Sequence, residues 1–189
     1  MISISNKQRA VLVGFLILLA YSMLTYTITN NKILGVITDI ISGLAVISIP
    51  LLMLPIFNTN EHKRINYAYL IARFIEGVLM IIGGVFILNP TLESYREIIY
   101  SDIQIYFFIG GAIFFYILLY RTQVIPKFIS VWGILATIIL FIVTIIKLLG
   151  IDLMGLNALV LPMILNELFL AFWLIIKGFG FKASDMAKE

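Results

Sequence analysis

Residues 128–149 read FISVWGILATIILFIVTIIKLL, an apolar run whose one charged side chain, Lys147, stands near its end. A helix at the surface of a soluble protein keeps one polar face, whereas this run is apolar on every face. At about 1.5 Å per residue it is long enough to cross a hydrocarbon core of roughly 30 Å. The run therefore predicts a transmembrane helix.

Five further runs share this character: Ala10–Thr29, Leu34–Phe57, Ile65–Leu88, Ile103–Tyr120 and Leu156–Ile176. They are continuous rather than alternating, which favours helices over the strands of an outer-membrane barrel. The chain of 189 residues is 62% hydrophobic and 12% charged, with a mean hydropathy of +1.10, and a soluble domain of this size could not bury so much apolar surface. The sequence predicts an all-α, polytopic membrane protein, a single transmembrane domain over residues 1–189 with six spans. We number the spans one to six in chain order.

The placement of Lys and Arg predicts the orientation, because cytoplasmic loops carry an excess of these residues. One side would hold nine of them: Lys7, Arg9, Lys63, Arg64, Arg121, Lys127, Lys177, Lys182 and Lys188. The other side would hold Lys32, Arg96 and Lys147, together with the acids Glu93, Glu97, Asp102 and Asp152. We expect both ends to lie in the cytoplasm, with the chain in the cytoplasmic membrane of a bacterium or archaeon.

Composition excludes several kinds of chemistry. With no cysteine, the chain cannot form disulfides, thiolate metal sites or a Cys nucleophile. Its single histidine, His62, is expected to be a solvated loop residue, so no metal site and no cofactor is predicted. The net charge of +3 comes from basic residues scattered over loops, which does not indicate a nucleic-acid partner.

The longest connection, residues 89–102, contains apolar residues at helical spacing, namely Leu92, Tyr95 and Ile99. This pattern predicts a short helix lying in the outer interface. Ser101 followed by Gln104 resembles a capping box that would open span four.

Prolines and glycines predict local features of the spans. Pro50 and Pro55 in span two and Pro162 in span six should kink or open those helices. The pairs Gly83-Gly84 and Gly110-Gly111 permit close helix approach. Near the outer end of span two, we expect Asp39 to face outward and to be partly hydrated.

Ionisable residues inside the spans are the most informative part of the sequence. Arg73 lies about 12 Å into span three and Glu76 about 16 Å, near the midplane. Glu167, beside Asn166, lies about 16 Å into span six. An isolated charge at this depth costs at least about 2.5 to 3.5 kcal/mol, so these groups should find partners in the protein or water.

Arg73 and Glu76 stand three residues apart on one helix face, which continues through Gly77 and Gly84. We infer that Arg73, Glu76, Asn166 and Glu167 converge between spans three and six. Two interpretations compete. The residues could form an ion-pair network that fixes helix register, or they could line a polar pocket for a ligand, an ion or a proton passed between glutamates.

Three segments resemble a known bacterial multi-pass family. They are Ala72-Arg73-Phe74-Ile75-Glu76-Gly77, the run 161–179 (LPMILNELFLAFWLIIKGF) and the segment 126–133 (PKFISVWG). The family is domain of unknown function 4386, and the resemblance covers nearly the whole chain. It implies a membrane fold of six or seven helices with polar residues equivalent to Arg73, Glu76 and Glu167. It implies no activity, substrate or cofactor.

The sequence leaves three functions open. The first is binding or transport of a small molecule, lipid or ion at the midplane site, with a possible sensor role. The second is a structural or regulatory membrane subunit whose charges only fasten helices. The third and weakest is an intramembrane enzyme acting on lipid or peptide, because no Ser-His or phosphate-loop arrangement and no helix-borne histidines accompany the carboxylates.

Overall fold

The protein is a bundle of six long helices in a computed structural model that describes residues 4–151 and 154–180. All regular secondary structure within these residues is helical. The six spans run Asn6–Thr29, Lys32–Phe57, Lys63–Phe86, Glu93–Thr122, Lys127–Leu148 and Leu156–Ile176, and each is long and apolar enough to cross a membrane. The predicted all-α, polytopic membrane class is therefore confirmed.

Three spans are uninterrupted α-helices, and three contain a turn of another helical type. Span one changes from α-helix to a 3₁₀ turn at Tyr21–Leu24 and back to α-helix at Thr25–Thr29. Span four contains a π-helical turn at Ile99–Gln104, between α-helices Glu93–Ile98 and Ile105–Thr122. Span six opens with a 3₁₀ turn at Leu156–Val160, ahead of its α-helix Leu161–Ile176.

Span four begins earlier than the sequence predicts. The expected interfacial helix is continuous with the span instead of lying apart from it, and the helix starts at Glu93 rather than at residue 103. Ser101 does not cap a new helix, since its hydroxyl donates to the carbonyl of Glu97 at 2.8 Å, within the continuing helix. The charges of this segment suggested a break, but Arg96 turns inward and is only 9% exposed.

The prolines leave the helices intact. Span two remains one α-helix through Pro50 and Pro55. Pro162 lies in the first turn of the α-helical part of span six, where a missing N–H is tolerated. The carbonyl of Ala158, four residues earlier, accepts the N–H of Leu161.

The six spans form a closed ring. Each packs against the next in chain order, and span six returns to pack against span one. Glycines set the closest crossings: a Cβ added at Gly43 would lie 2.5 Å from the carbonyl of Gly77, and one at Gly77 would lie 2.5 Å from that of Gly43. These two glycines therefore let spans two and three touch through their backbones.

The outer face of the ring is apolar, as a lipid-facing surface must be. Large hydrophobic side chains on every span are exposed, among them Phe15, Leu44, Phe74, Ile103, Leu135 and Phe172. The connections after spans one, three and five share one end of the ring, and those after spans two and four share the other. Lys182, Lys188 and Asp152 lie outside the described residues, and the cytoplasmic location of both chain ends stays a prediction.

Candidate functional site

A cavity of about 220 Å³ lies inside the ring, and all six spans contribute to its wall. Most of the wall is apolar. Seven polar or aromatic-polar side chains also line it: Tyr21, Tyr69, Arg73, Glu76, Gln104, Tyr116 and Glu167. A concave, mostly apolar space with a few converging polar groups is the usual form of a small-molecule site.

Arg73 and Glu76 form a buried ion pair on one wall of the cavity. The Nη1 of Arg73 lies 2.9 Å from the Oε2 of Glu76, and the two residues are 7% and 2% exposed. Gln104 Nε2 donates to the other carboxylate oxygen, Oε1, at 3.2 Å. Glu76 is thus engaged through both oxygens. The Nε of Arg73 has no hydrogen-bond partner among the described residues.

Gly111 provides the space that the Arg73 side chain occupies. A Cβ at Gly111 would lie 2.9 Å from the Nε and 3.0 Å from the Cδ of Arg73. Its neighbour Gly110 has nothing within 4 Å of the same position. The predicted close approach at this glycine pair is therefore between one glycine and an arginine side chain, not between two helix backbones.

Glu167 faces the cavity from the opposite side, on span six. Its Oε2 accepts a hydrogen bond from the Tyr21 hydroxyl at 2.7 Å. Within the described residues, no Lys, Arg or His nitrogen lies within 4.0 Å of this carboxylate. The hydroxyl of Tyr116, which also lines the cavity, is buried and has no hydrogen-bond partner in the described part of the chain. Unused polar capacity in the cavity therefore lies at Glu167 and Tyr116 and, on span three, at the hydroxyl of Tyr69 and the Nε of Arg73, which also have no hydrogen-bond partner among the described residues.

The fourth residue expected at the site, Asn166, points elsewhere. Its Nδ2 donates to the carbonyl of Ile129 at 3.0 Å, which places the side chain between spans five and six. The structure thus gathers Arg73, Glu76 and Glu167 around one cavity and turns Asn166 away from it. Neighbouring helix positions face directions about 100° apart, which is enough to separate Asn166 from Glu167.

The sequence had not singled out the tyrosines or the amide that complete the cavity wall. Tyr21 and Tyr116 lie in otherwise apolar stretches and Gln104 near a span end, where anchoring and capping are the ordinary interpretations. One pattern could have identified them. In each case a polar side chain falls at a helix position that faces the ring interior.

The cavity adjoins a second space at one end of the ring. Met23, Leu24, Gln104 and Ile105 line both the cavity and an open cleft of about 830 Å³, the mouth cleft, whose wall includes Tyr26, Asn30, Pro90, Glu93, Glu97 and Tyr100. The 3₁₀ turn of span one and the π turn of span four lie at this boundary between the two spaces. π turns inside α-helices occur frequently at functional sites.

An aromatic cluster closes the cavity toward the other end. Tyr69 and Phe115 stack with ring centroids 5.3 Å apart, and Phe57 packs edge-on to both at 6.2 Å. Phe57 and Tyr69 are fully buried. We call these three residues the aromatic floor.

A second buried ion pair borders the mouth cleft. The expectation that Asp39 is partly hydrated is wrong, because the residue is 0% exposed. Arg96 binds it through two contacts, Nε to Oδ2 at 2.9 Å and Nη2 to Oδ1 at 3.1 Å, and Nη2 also donates to the carbonyl of Met23 at 3.3 Å. The guanidinium lies over the rings of Tyr26 and Tyr100, at 5.0 and 4.5 Å. We call Asp39 and Arg96 the clasp.

The rim of the mouth cleft carries a smaller polar network. The Tyr26 hydroxyl donates to one oxygen of Glu93, and the Nζ of Lys32 contacts the other at 2.6 Å. This network joins the end of span one, the start of span two and the start of span four. It is partly solvated and contributes little stability by itself.

His62 is not the solvated residue that the sequence suggested. It is 6% exposed and lies just before span three, where its carbonyl accepts the N–H of Asn66 at 2.9 Å. It does not line the cavity. Among residues 4–151 and 154–180, no group of three or more His, Asp or Glu side chains could hold a metal ion.

Comparison with known proteins gives one match. A family model described as Domain of unknown function (DUF4386) matches residues 20–178, which include segments 72–77 and 126–133 and all but the last residue of segment 161–179. No curated protein and no solved structure matches the chain.

Proposed function

The chain belongs to the Domain of unknown function (DUF4386) family, and from the geometry of its central cavity we propose that it binds a small amphipathic molecule within the membrane. One observation carries the proposal: a cavity walled by all six spans retains a carboxylate, Glu167, that no cationic group of the described residues neutralises. A ring that served only to hold itself together would gain stability by filling this space.

The size and lining of the cavity suit a molecule with one aromatic ring or a short aliphatic body. An engineered apolar cavity of roughly 150 Å³ binds benzene. The present cavity, at about 220 Å³, leaves additional room for a polar group. Its apolar residues would contact the body of the molecule, while the polar residues would orient it.

The mouth cleft is the route by which such a molecule would reach the cavity. Four residues are shared between the two spaces, and the three that are apolar, Met23, Leu24 and Ile105, have side chains that can change rotamer without backbone movement. In the orientation predicted from the charge bias, this end would face the outside of the cell, in the predicted bacterial or archaeal cytoplasmic membrane.

Transport is the second candidate, and one feature favours it over passive binding. The cavity adjoins the mouth cleft at one end, and the aromatic floor lies at the other. Alternating-access carriers present this asymmetry around a midplane site. In that case the structure corresponds to the outward-facing state, and inward opening would require Phe57, Tyr69 and Phe115 to separate.

Filling the cavity tests the proposal. Ala20 lines the cavity and has a small side chain, so Ala20→Phe places a ring in the proposed site. Ala158→Phe is the matched control, because Ala158 is exposed and does not line the cavity. We would measure the thermal unfolding midpoint of the purified protein in detergent with increasing benzylamine or benzyl alcohol.

We expect at least one probe to raise the midpoint saturably in the parent and in Ala158→Phe, because a ligand that binds only the folded state stabilises it. Ala20→Phe should show no such increase, and Ala20→Leu should lie between. Equal shifts in all four proteins would mean that the probes act through the micelle. An absence of any shift in the parent would overturn the proposal.

A further inference from the structure

We propose that the molecule bound in the cavity is a small organic cation, an amine in its ammonium form on an apolar body, and that Glu167 is its counter-ion. This inference deepens the proposed function and rests on it. It names the chemical class that the cavity would accept.

The distribution of charge around the cavity favours a cation. The wall holds one cationic side chain and two carboxylates. Arg73 is committed to Glu76 at 2.9 Å, whereas Glu167 has no ion-pair partner among the described residues. A carboxylate inside the bilayer is costly when unpaired, and a ligand that brought its own positive charge would remove this cost.

Hydrogen-bonding capacity at the same place matches an ammonium group. Tyr21 satisfies the Oε2 of Glu167, and no described residue donates to Oε1. The unpaired Tyr116 hydroxyl also lines the cavity and offers a second acceptor. An ammonium group has N–H donors and no acceptor, so it complements these two oxygens.

Aromatic residues in the cavity wall also favour the binding of a positive charge. The ring of Tyr116 lines the cavity together with those of Phe108, which already lies 5.2 Å from the Arg73 guanidinium, and Phe115, which stacks on Tyr69. Aromatic faces attract cations, with energies that rise when water is excluded. The same rings provide the apolar contact for the body of the molecule.

Competing ligand classes fit less well. An anion would have to approach Arg73 beside two carboxylates, which would repel it. The unpaired Nε of Arg73 lies close against Gly111, which restricts access to it. A divalent metal ion fits less well, because among residues 4–151 and 154–180 no group of three or more His, Asp or Glu side chains could hold one. Met23, Leu24, Gln104 and Ile105 are shared between the cavity and the mouth cleft, so we take the amine to belong to a free molecule that arrives through this cleft.

Three one-ring probes that differ in charge test the inference: benzylamine, benzyl alcohol and benzoate. Apparent dissociation constants would come from the concentration dependence of the unfolding midpoint, in the parent and in Glu167→Gln. Asp102→Asn is the matched control, because Asp102 is an exposed acid that lines neither the cavity nor the mouth cleft.

We expect the parent and Asp102→Asn to bind benzylamine at least tenfold more tightly than benzyl alcohol, and benzoate least tightly. Glu167→Gln should weaken benzylamine tenfold or more and change benzyl alcohol less than twofold. Tyr116→Phe, which removes only the unpaired hydroxyl, should weaken benzylamine severalfold and gives a second measurement if Glu167→Gln does not fold.

The outcomes separate the two proposals. If benzyl alcohol binds the parent as tightly as benzylamine, the cation class is wrong while the binding cavity stands. If benzylamine binds the parent and both cavity variants equally, Glu167 and Tyr116 are not its contacts and the inference fails. If no probe binds the parent, the proposed function fails as well.

Discussion

Two arginine–carboxylate pairs lie inside this ring, and they differ in how completely their bonding capacity is used. In the clasp, Arg96 contacts both oxygens of Asp39, a backbone carbonyl and two aromatic rings. In the cavity pair, the Arg73 guanidinium also lies over two rings, those of Tyr69 and Phe108. It makes one contact with Glu76 at 2.9 Å, however, and its Nε has no hydrogen-bond partner in the described residues. Burial is similar in both, so burial alone does not distinguish a fastening pair from a site.

The chain positions of the two pairs sharpen the contrast. The clasp joins span two to span four and can hold these helices together. Arg73 and Glu76 lie three residues apart on span three, so their ion pair cannot by itself fix one helix against another. Gln104 and the ring of Phe108, both on span four, link this pair to the neighbouring helix. A role in fixing the register of the helices therefore fits the clasp better than it fits the pair of Arg73 and Glu76.

The largest expected effect is on stability, at the clasp. Asp39→Asn removes the charge that compensates buried Arg96, and breaking a buried pair in this way costs about 3–5 kcal/mol. We expect the free energy of unfolding in detergent to fall by this order. Asp102→Asn, which alters an exposed acid on span four, should change it by less than about 0.5 kcal/mol. A similar small loss in both variants would mean that the clasp does not fasten the spans.

An intermediate effect on stability is expected at two adjacent glycines, because a side chain added at each would meet different surroundings. Gly111→Ala forces a Cβ to 2.9 Å from the Nε of Arg73, which is held in place by Glu76. Overpacking of this kind costs about 1–3 kcal/mol. Gly110→Ala meets nothing within 4 Å and should stabilise the helix by up to about 1 kcal/mol.

Chemical unfolding of the two single variants and the parent would measure this difference. Because the substitution is the same and the positions are adjacent, helix propensity cancels in the comparison. If Gly111→Ala were as stable as Gly110→Ala, the Arg73 side chain would have an alternative position, and the geometry of the cavity wall would need revision.

The fold could be predicted from the sequence largely because the bilayer imposes one strong requirement. Every crossing segment must be long, apolar and helical. The length and composition of each of the six runs indicate this without reference to the rest of the chain. The start of span four was the exception. Charges at Glu93 and Arg96 suggested a polar interfacial helix, and nothing near them in the sequence shows that Asp39, 57 residues away, accepts the arginine.

The sequence predicts how deep in the membrane each site residue lies, but not the direction in which its side chain points. Counting residues along spans three and six placed Arg73, Glu76 and Glu167 near one level, and the structure brings them to one cavity. Asn166 shares that level but faces span five. The rotation of each helix about its axis depends on packing across the whole ring, which a single sequence does not state.

The smallest expected effect on stability is at Glu167, and it completes the comparison between the two pairs. Glu167→Gln leaves no arginine unpaired, because no cation of the described residues contacts this carboxylate. The amide oxygen can still accept the hydrogen bond from Tyr21, which now spans 2.7 Å. We therefore expect the free energy of unfolding to change by less than about 1 kcal/mol, in either direction. If Glu167→Gln lowered the free energy of unfolding by several kcal/mol, as expected for Asp39→Asn, Glu167 would have a structural role like that of the clasp. It would then not be a carboxylate available to a ligand.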